Sequence, residues 1–204
     1  MRLHGITAAG LKRVSQFMQG GPSEILYHIT FYRNLGSIAA EGLQVGYGGG
    51  AGQGAGYQEH SSQGVFTTEW GGVFSWFNKV EAWGESMLSG SQSTYSEDLF
   101  PVVLAVKHEG SDPVYDEIGS NDVFEDAWIL QPEEVPEESV LLWNGEAWVD
   151  IQDWGTIDPD KAFTKEHSGE FDEYGEEEIY YWETEYLLPT EPAPLEAFDL
   201  EETE

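Results

Sequence analysis

Residues 25–45, ILYHITFYRNLGSIAAEGLQV, decide how the rest of the chain is read. A short apolar run opens the stretch and carries one histidine, His28, between Tyr27 and Ile29, which is a strand pattern with a single polar insert. Thr30 follows, and Leu35, Ile38 and Ala39 then recur at helical spacing. Gly42 stands where a helix commonly ends on a residue that tolerates positive φ. A strand with a polar side chain, a helix and a glycine-rich loop form a common floor for a small-molecule site. The loop, GYGGGAGQGAG over 46–56, has no P-loop lysine and no strand–GxGxxG–helix context. It reads as a flexible connection, with closure over a ligand as its functional alternative.

Working outward, residues 7–18 form an amphipathic helix pattern with Leu11, Val14, Phe17 and Met18 on one side, ended by Gly20-Gly21-Pro22. Downstream, GVFTT gives a strand over 65–68, followed by a helix with Phe74, Phe77, Val80 and Ala82 or Trp83 on its apolar face. Residues 84–99 are polar and serine-rich and read as a loop. FPVVLAV, 100–106, is the most strand-like run of all, and VFEDAWIL (123–130) and VLLW (140–143) supply two more strands. Past Trp148 the chain changes character. Residues 151–204 carry 18 acidic and 2 basic residues, so half the net charge lies in a quarter of the length. Within them EIYYWETEYLL, 178–188, reads as a strand or hairpin, and the last fifteen residues read as a tail. The organisation expected is an N-terminal helical segment (1–22), a central domain (23–150) and an acidic C-terminal extension (151–204).

With 40% apolar and 14% aromatic residues in 204, the chain can fill a core. Its 39 acids against 8 bases give a net charge of −31. Phosphate binding draws on clustered Lys and Arg, so nucleic-acid binding is disfavoured. Adaptation to salt, solubility, and mimicry of nucleic acid all remain open as reasons for the acidity. There are no cysteines, hence no disulfide framework or thiolate chemistry. No apolar run approaches membrane-spanning length and the N-terminus has no sustained apolar core, so a cytoplasmic protein, or one in a host cytoplasm, is expected, with no membrane contact.

The five histidines are scattered, with neither HExxH nor EF-hand spacing, and no GxSxG elbow is present. No metal site is expected. His28 alone is open to two readings: a hydrogen-bonded core histidine, or a functional one. The order of motifs around it bears on that choice. LYHIT, AAEGL, GVFTT, PVVLAV and FEDAWIL follow one another over residues 24–143. This order resembles the ADP-ribosyltransferases of the His-Tyr-Glu branch, which includes diphtheria toxin and the poly-ADP-ribose polymerases, and their RNA 2′-phosphotransferase and DNA-modifying toxin relatives.

The resemblance implies an α+β fold, an ADP-ribosyltransferase-like split β-sandwich with flanking helices, two small packed sheets forming a cleft. It implies NAD as the substrate, cleaved between nicotinamide and ribose, with ADP-ribose passed to an acceptor. Carried over residue by residue, His28 would orient the ribose, and the NAD-binding set would be His28, Thr30, Arg33, Phe66 and Thr67. Phe66 stands where the family usually has Tyr and keeps the stacking face. Trp70 and Trp76 are further candidates for a nicotinamide wall. Arg33, one of few cations, is open to a pyrophosphate contact or to a plain surface role. The family's glutamate falls at Ala127, and Glu125, two residues earlier on the same strand face, is taken as the catalytic acid, with Asp126 requiring a bulge. A basic protein target suits the acidic extension. The rival from another class is a non-catalytic acidic interaction protein, a phage or host-interaction factor, on a degenerate scaffold of the same kind.

Overall fold

The computed structural model describes residues 22–44, 64–90, 99–108, 113–116, 127–130, 135–167 and 183–198. The helix read over 7–18 and the glycine-rich loop over 46–56 lie outside them.

Strand β1 (Ile25–Phe31) splits its side chains between two faces, as period-two alternation requires. Leu26 is fully buried on one face and Tyr27, 2% exposed, on the other. A 3₁₀ turn (Tyr32–Asn34) leads into helix α1 (Leu35–Glu41), which buries Leu35, Ile38 and Ala39, the three residues at helical spacing. Gly42 ends it at φ 70°, and a side chain there would overlap the Val135 carbonyl. Both backbone and space therefore demand glycine.

Strand β2 (Val65–Thr68) and a 3₁₀ turn (Trp70–Gly72) precede helix α2 (Val73–Gly90). The helix runs through 84–90, part of the stretch expected to be a loop. Gly84 does not break it. A Cβ there would stand 3.2 Å from the Phe31 ring, so the missing side chain lets α2 lie close against the end of β1.

Strands β3 (Pro101–Lys107), β4 (Val114–Tyr115), β5 (Ala127–Leu130), β6 (Val140–Trp143) and β7 (Trp148–Asp150) complete an antiparallel sheet ordered β4-β5-β2-β1-β3-β6-β7. Residues 123–126 of the expected third-motif strand lie outside the described residues. One face of the sheet carries Leu26, Val102, Leu104, Val106, Val140 and Leu142 against Leu35 and Ile38 of α1. The other carries Ile25, Tyr27, Val103, Ala105 and Leu141 against Val73 and Phe77 of α2. Each fully buried aliphatic side chain contributes about 1.5–3 kcal/mol, so these two layers dominate the fold's stability. The class is α+β.

The acidic extension feeds the same two layers. A 3₁₀ segment (Ile151–Thr156) and a short helix α3 (Pro159–Ala162) place Ile151 and Phe163 in the α1-side core. A hairpin of β8 (Thr164–His167) and β9 (Glu183–Tyr186) follows, so β9 falls inside the strand read over 178–188. The segment read as a tail is anchored as far as Phe198: Ala193 is 5% exposed in the α2-side core, and its N–H donates to the Tyr27 hydroxyl at 3.0 Å. It ends in a 3₁₀ turn (Leu195–Phe198).

Candidate functional site: a seam in the sheet

The seven strands are not equally joined. β1 and β3 hold register from Ile25↔Lys107 to Phe31↔Pro101, and β2 and β5 from Val65↔Leu130 to Thr68↔Ala127. Between β1 and β2 the register is a single pair, Tyr27↔Thr68. The sheet is thus two halves, β4-β5-β2 and β1-β3-β6-β7, meeting at one point.

What happens beside that point follows from antiparallel hydrogen-bond geometry. Tyr32 N–H donates to the Phe100 carbonyl, so the main-chain groups of Tyr32, and by period two those of Thr30 and His28, face β3. Those of Tyr27, Ile29 and Phe31 then face β2. Continued one step, the register would join Ile29 to Phe66, but pairing stops at Tyr27 and Thr68. The Phe66 carbonyl takes a side-chain donor instead, His28 Nδ1 at 2.8 Å. A carbonyl oxygen only accepts, so Nδ1 carries the proton and Nε2 is left with its lone pair. Burial holds this imidazole below the ordinary histidine range, and the Phe66 carbonyl, which favours the charged form, offsets that only in part. The ring is neutral at pH 7. One neutral imidazole therefore spans the split, with an acceptor nitrogen and the N–H and C=O of Ile29 beside it.

On the other side of the joining pair the halves are clasped by Glu69. Its Oε1 accepts from Ser23 N–H at 3.0 Å and from Trp128 Nε1 at 3.0 Å, and its Oε2 accepts from the Ser23 hydroxyl. Ser23 leads into β1 and Trp128 belongs to β5, so one carboxylate holds both halves at the closed end. Tyr27, in the joining pair, meets Trp70 edge-on at 5.2 Å between centroids. Burial raises its phenol pKa, against the pull of the Ala193 N–H.

The residues singled out from the sequence fall as follows. His28 and Phe66 are brought together at the split, and Phe66 is partly buried. The Thr30 hydroxyl accepts from Asn34 Nδ2 at 2.8 Å, and the Thr67 hydroxyl donates to the Trp128 carbonyl at 3.0 Å, so both have structural work. Arg33 is exposed, with its guanidinium 5.4 Å from the Phe31 ring centroid. Trp70 lines the α2-side layer, and Trp76, 8% exposed, stacks edge-on with Trp83. Ala127 is fully buried opposite Thr68, one strand from the seam. Glu125 and Asp126 lie outside the described residues. Glu69 and its partner Ser23 were not singled out by sequence reasoning; a lone acid between a strand and Trp70 carries no local mark among so many others.

A separate cavity of about 10 Å³ between Phe77, Val103, Trp143, Tyr186 and Leu188 has room for roughly one water, too little for a ligand. Among the described residues no three His, Asp or Glu side chains gather as a metal site, and no helix is long and apolar enough to cross a membrane. Compared with family models, with curated proteins and with solved structures, the chain matches none.

Proposed function

We propose that this protein binds NAD at the seam between β1 and β2 and acts as an ADP-ribosyltransferase on an α+β scaffold of the split-sandwich kind. The observation that carries the reading is the His28 bridge to the Phe66 carbonyl. It bridges the split beside the joining pair and fixes the tautomer, which leaves Nε2 as the nitrogen to accept a hydrogen bond from a ribose hydroxyl. Ile29 adds a donor and an acceptor side by side on one strand edge. A carboxamide presents the complementary pair, which suits the nicotinamide end of NAD. The Phe66 ring supplies an apolar face beside it.

The chemistry needs little more than position and field. The bond between ribose C1′ and the pyridinium nitrogen is already weakened by the positive ring, and nicotinamide leaves neutral. A negative environment favours the cationic ribose that remains. With a net charge of −31, the same environment opposes the pyrophosphate, so Arg33 and backbone N–H groups would have to hold it locally. A basic protein is the acceptor that this charge attracts from a distance.

A second reading has one observation in its favour. Ala127 puts a buried methyl group where the family's glutamate falls, which fits a protein that binds NAD or a basic partner without transfer.

Thermal denaturation with millimolar NAD or nicotinamide, run beside an assay of nicotinamide release, tests both. The expected result is a rise in Tm that grows with ligand concentration, release of nicotinamide by the wild type, and loss of both in His28→Ala. A Tm shift without release selects the second reading. No shift and no release with either ligand would sink the proposal.

A further inference from the structure

Residues 187–198, LLPTEPAPLEAF, lie against the aromatic part of the α2-side face through Leu188, Ala193, Ala197 and Phe198. Period two puts Tyr27 of β1, Trp143 of β6 and Trp148 of β7 on that face, and Trp70 borders it from the turn before α2. The Tyr27 ring meets Trp70 at 5.2 Å and Trp148 at 6.0 Å between centroids, and Trp148 meets Trp143 at 5.4 Å. All three contacts are tilted, at 61°, 48° and 62°, so the rings form a ridged surface rather than a flat stack. The segment over them has prolines at 189, 192 and 194. Each proline restricts its own φ and holds the residue before it extended, so little conformational freedom is lost on docking. Pro189 and Ala193 are buried, and Pro192 and Pro194 are exposed. In Pro192-Ala193-Pro194 only Ala193 has an N–H, and it donates to the Tyr27 hydroxyl at 3.0 Å. The Leu187 carbonyl accepts from Trp143 Nε1 at 2.7 Å. Tilted aromatic rings with one hydroxyl acceptor and one indole donor, set under an extended proline-rich backbone, are the chemistry of proline-rich peptide recognition.

The seated segment has the wrong sign for its surroundings. It carries Glu191 and Glu196, both exposed, and no base, in a chain at −31. Glu69 adjoins Trp70 in sequence, and Asp150 stands in the cross-strand row of Tyr27, reached through Leu141 and Ala105. The same backbone with Lys in place of the two glutamates would keep both hydrogen bonds and turn repulsion into attraction. We infer that this aromatic groove is a docking site for a basic proline-rich segment of another protein, with residues 187–198 as the resident occupant that such a segment displaces. The groove lies on the face opposite His28, so the inference stands apart from the NAD reading. Because the resident segment must leave first, the apparent affinity scales with the fraction of chains whose groove is open.

Fluorescence anisotropy of a labelled peptide, residues 187–198 with Glu191→Lys and Glu196→Lys, titrated with the full chain, tests this. The chain variant Pro192→Gly/Pro194→Gly alters only exposed positions and loosens the resident segment. It is expected to bind the peptide about tenfold more tightly than wild type. Wild type at higher concentration supplies the same measurement should the variant fail to fold. Ala193→Pro in the peptide removes the N–H that meets Tyr27 and is expected to weaken binding about fivefold or more. Raising salt from about 0.05 M to about 0.5 M should weaken the lysine peptide and strengthen the unmodified one. A scrambled lysine peptide that binds as tightly as its parent, or an Ala193→Pro peptide that does so, would mean that charge alone is read, and overturns the docking site. No binding to either chain overturns it as well. A variant that ignores the peptide and dimerises as its concentration rises assigns the groove to a second copy's segment, which also overturns the inference.

Discussion

The neutral His28 ring is a stability element as well as a candidate ligand, and its protonation links the two. Burial lowers its pKa below the ordinary value of 6.5, so between those two values the unfolded chain binds more protons than the folded one. Stability therefore rises with pH through that window. It is fully present above 6.5 and is lost as pH falls below 6.5 toward the folded value. Protonation also takes away the Nε2 lone pair, so NAD affinity should fall in the same direction. His28→Gln keeps a side-chain donor for the Phe66 carbonyl without a titrating group. At pH 7.5 its unfolding free energy is expected to lie within about 1 kcal/mol of wild type. Between pH 7.5 and 5.5 wild type should lose more stability than the variant, as read by urea unfolding. Equal losses would mean that His28 titrates alike in the folded and unfolded chain.

At the level of strands, the sheet's weakest joint is β1 with β2, where one residue pair carries the register. Glu69 compensates by binding Ser23 and Trp128 at once. Hydrogen bonds to a charged group contribute about 1.5–3 kcal/mol each, more than neutral ones. Glu69→Gln keeps one carbonyl acceptor but loses the charge and the second acceptor, so it is expected to cost about 1–3 kcal/mol. Glu69→Ala, which leaves the Trp128 indole N–H without this partner, is expected to cost more. Chemical denaturation measures both, and a loss under about 0.5 kcal/mol for Glu69→Ala would show that the clasp does not hold the halves together.

The strands and helices themselves were unevenly legible. β1, α1 and the Gly42 stop follow from local pattern, because alternation, helical spacing and a positive φ leave marks in consecutive residues. The end of α2 lies inside the polar, serine-rich stretch that reads as a loop, because composition does not encode the fit of Gly84 against Phe31, which is a tertiary fact. The β6–β7 hairpin carries a local signal, Asn144-Gly145 between VLLW and AWVD. Asn144 Oδ1 accepts from both Glu146 and Ala147 N–H, and Gly145 takes φ +95° where a side chain would overlap the Ala162 carbonyl. For the site, His28 and Phe66 could be picked out from the sequence. That they meet, that pairing stops one residue earlier, and that Glu69 clasps Ser23 to Trp128 across the two halves all depend on strand partners, which no local pattern encodes.

For the whole molecule, two effects of the acidic C-terminal region oppose each other. Its acids add to the self-repulsion of a chain at −31, while its apolar residues complete the α2-side core. Deleting 189–204 removes six acids, but also Ala193, its bond to the Tyr27 hydroxyl, and the packing of Ala197 and Phe198. Relief of repulsion is screened beyond about 8 Å at physiological salt, whereas the burial lost is worth about 2–4 kcal/mol. Burial should win, so this truncation is expected to melt several degrees below the full chain at 0.5 M salt. The deficit should narrow at 0.05 M, where charge relief counts for more. Deleting only 199–204 removes four acids and none of the contacts named above, and is expected to leave Tm unchanged or raise it slightly at low salt. Thermal denaturation of the three chains at both salt concentrations decides the matter. If the 189–204 deletion melts with the full chain at 0.5 M, the contacts of Ala193 and Phe198 contribute nothing to the core, and charge alone governs this end of the molecule.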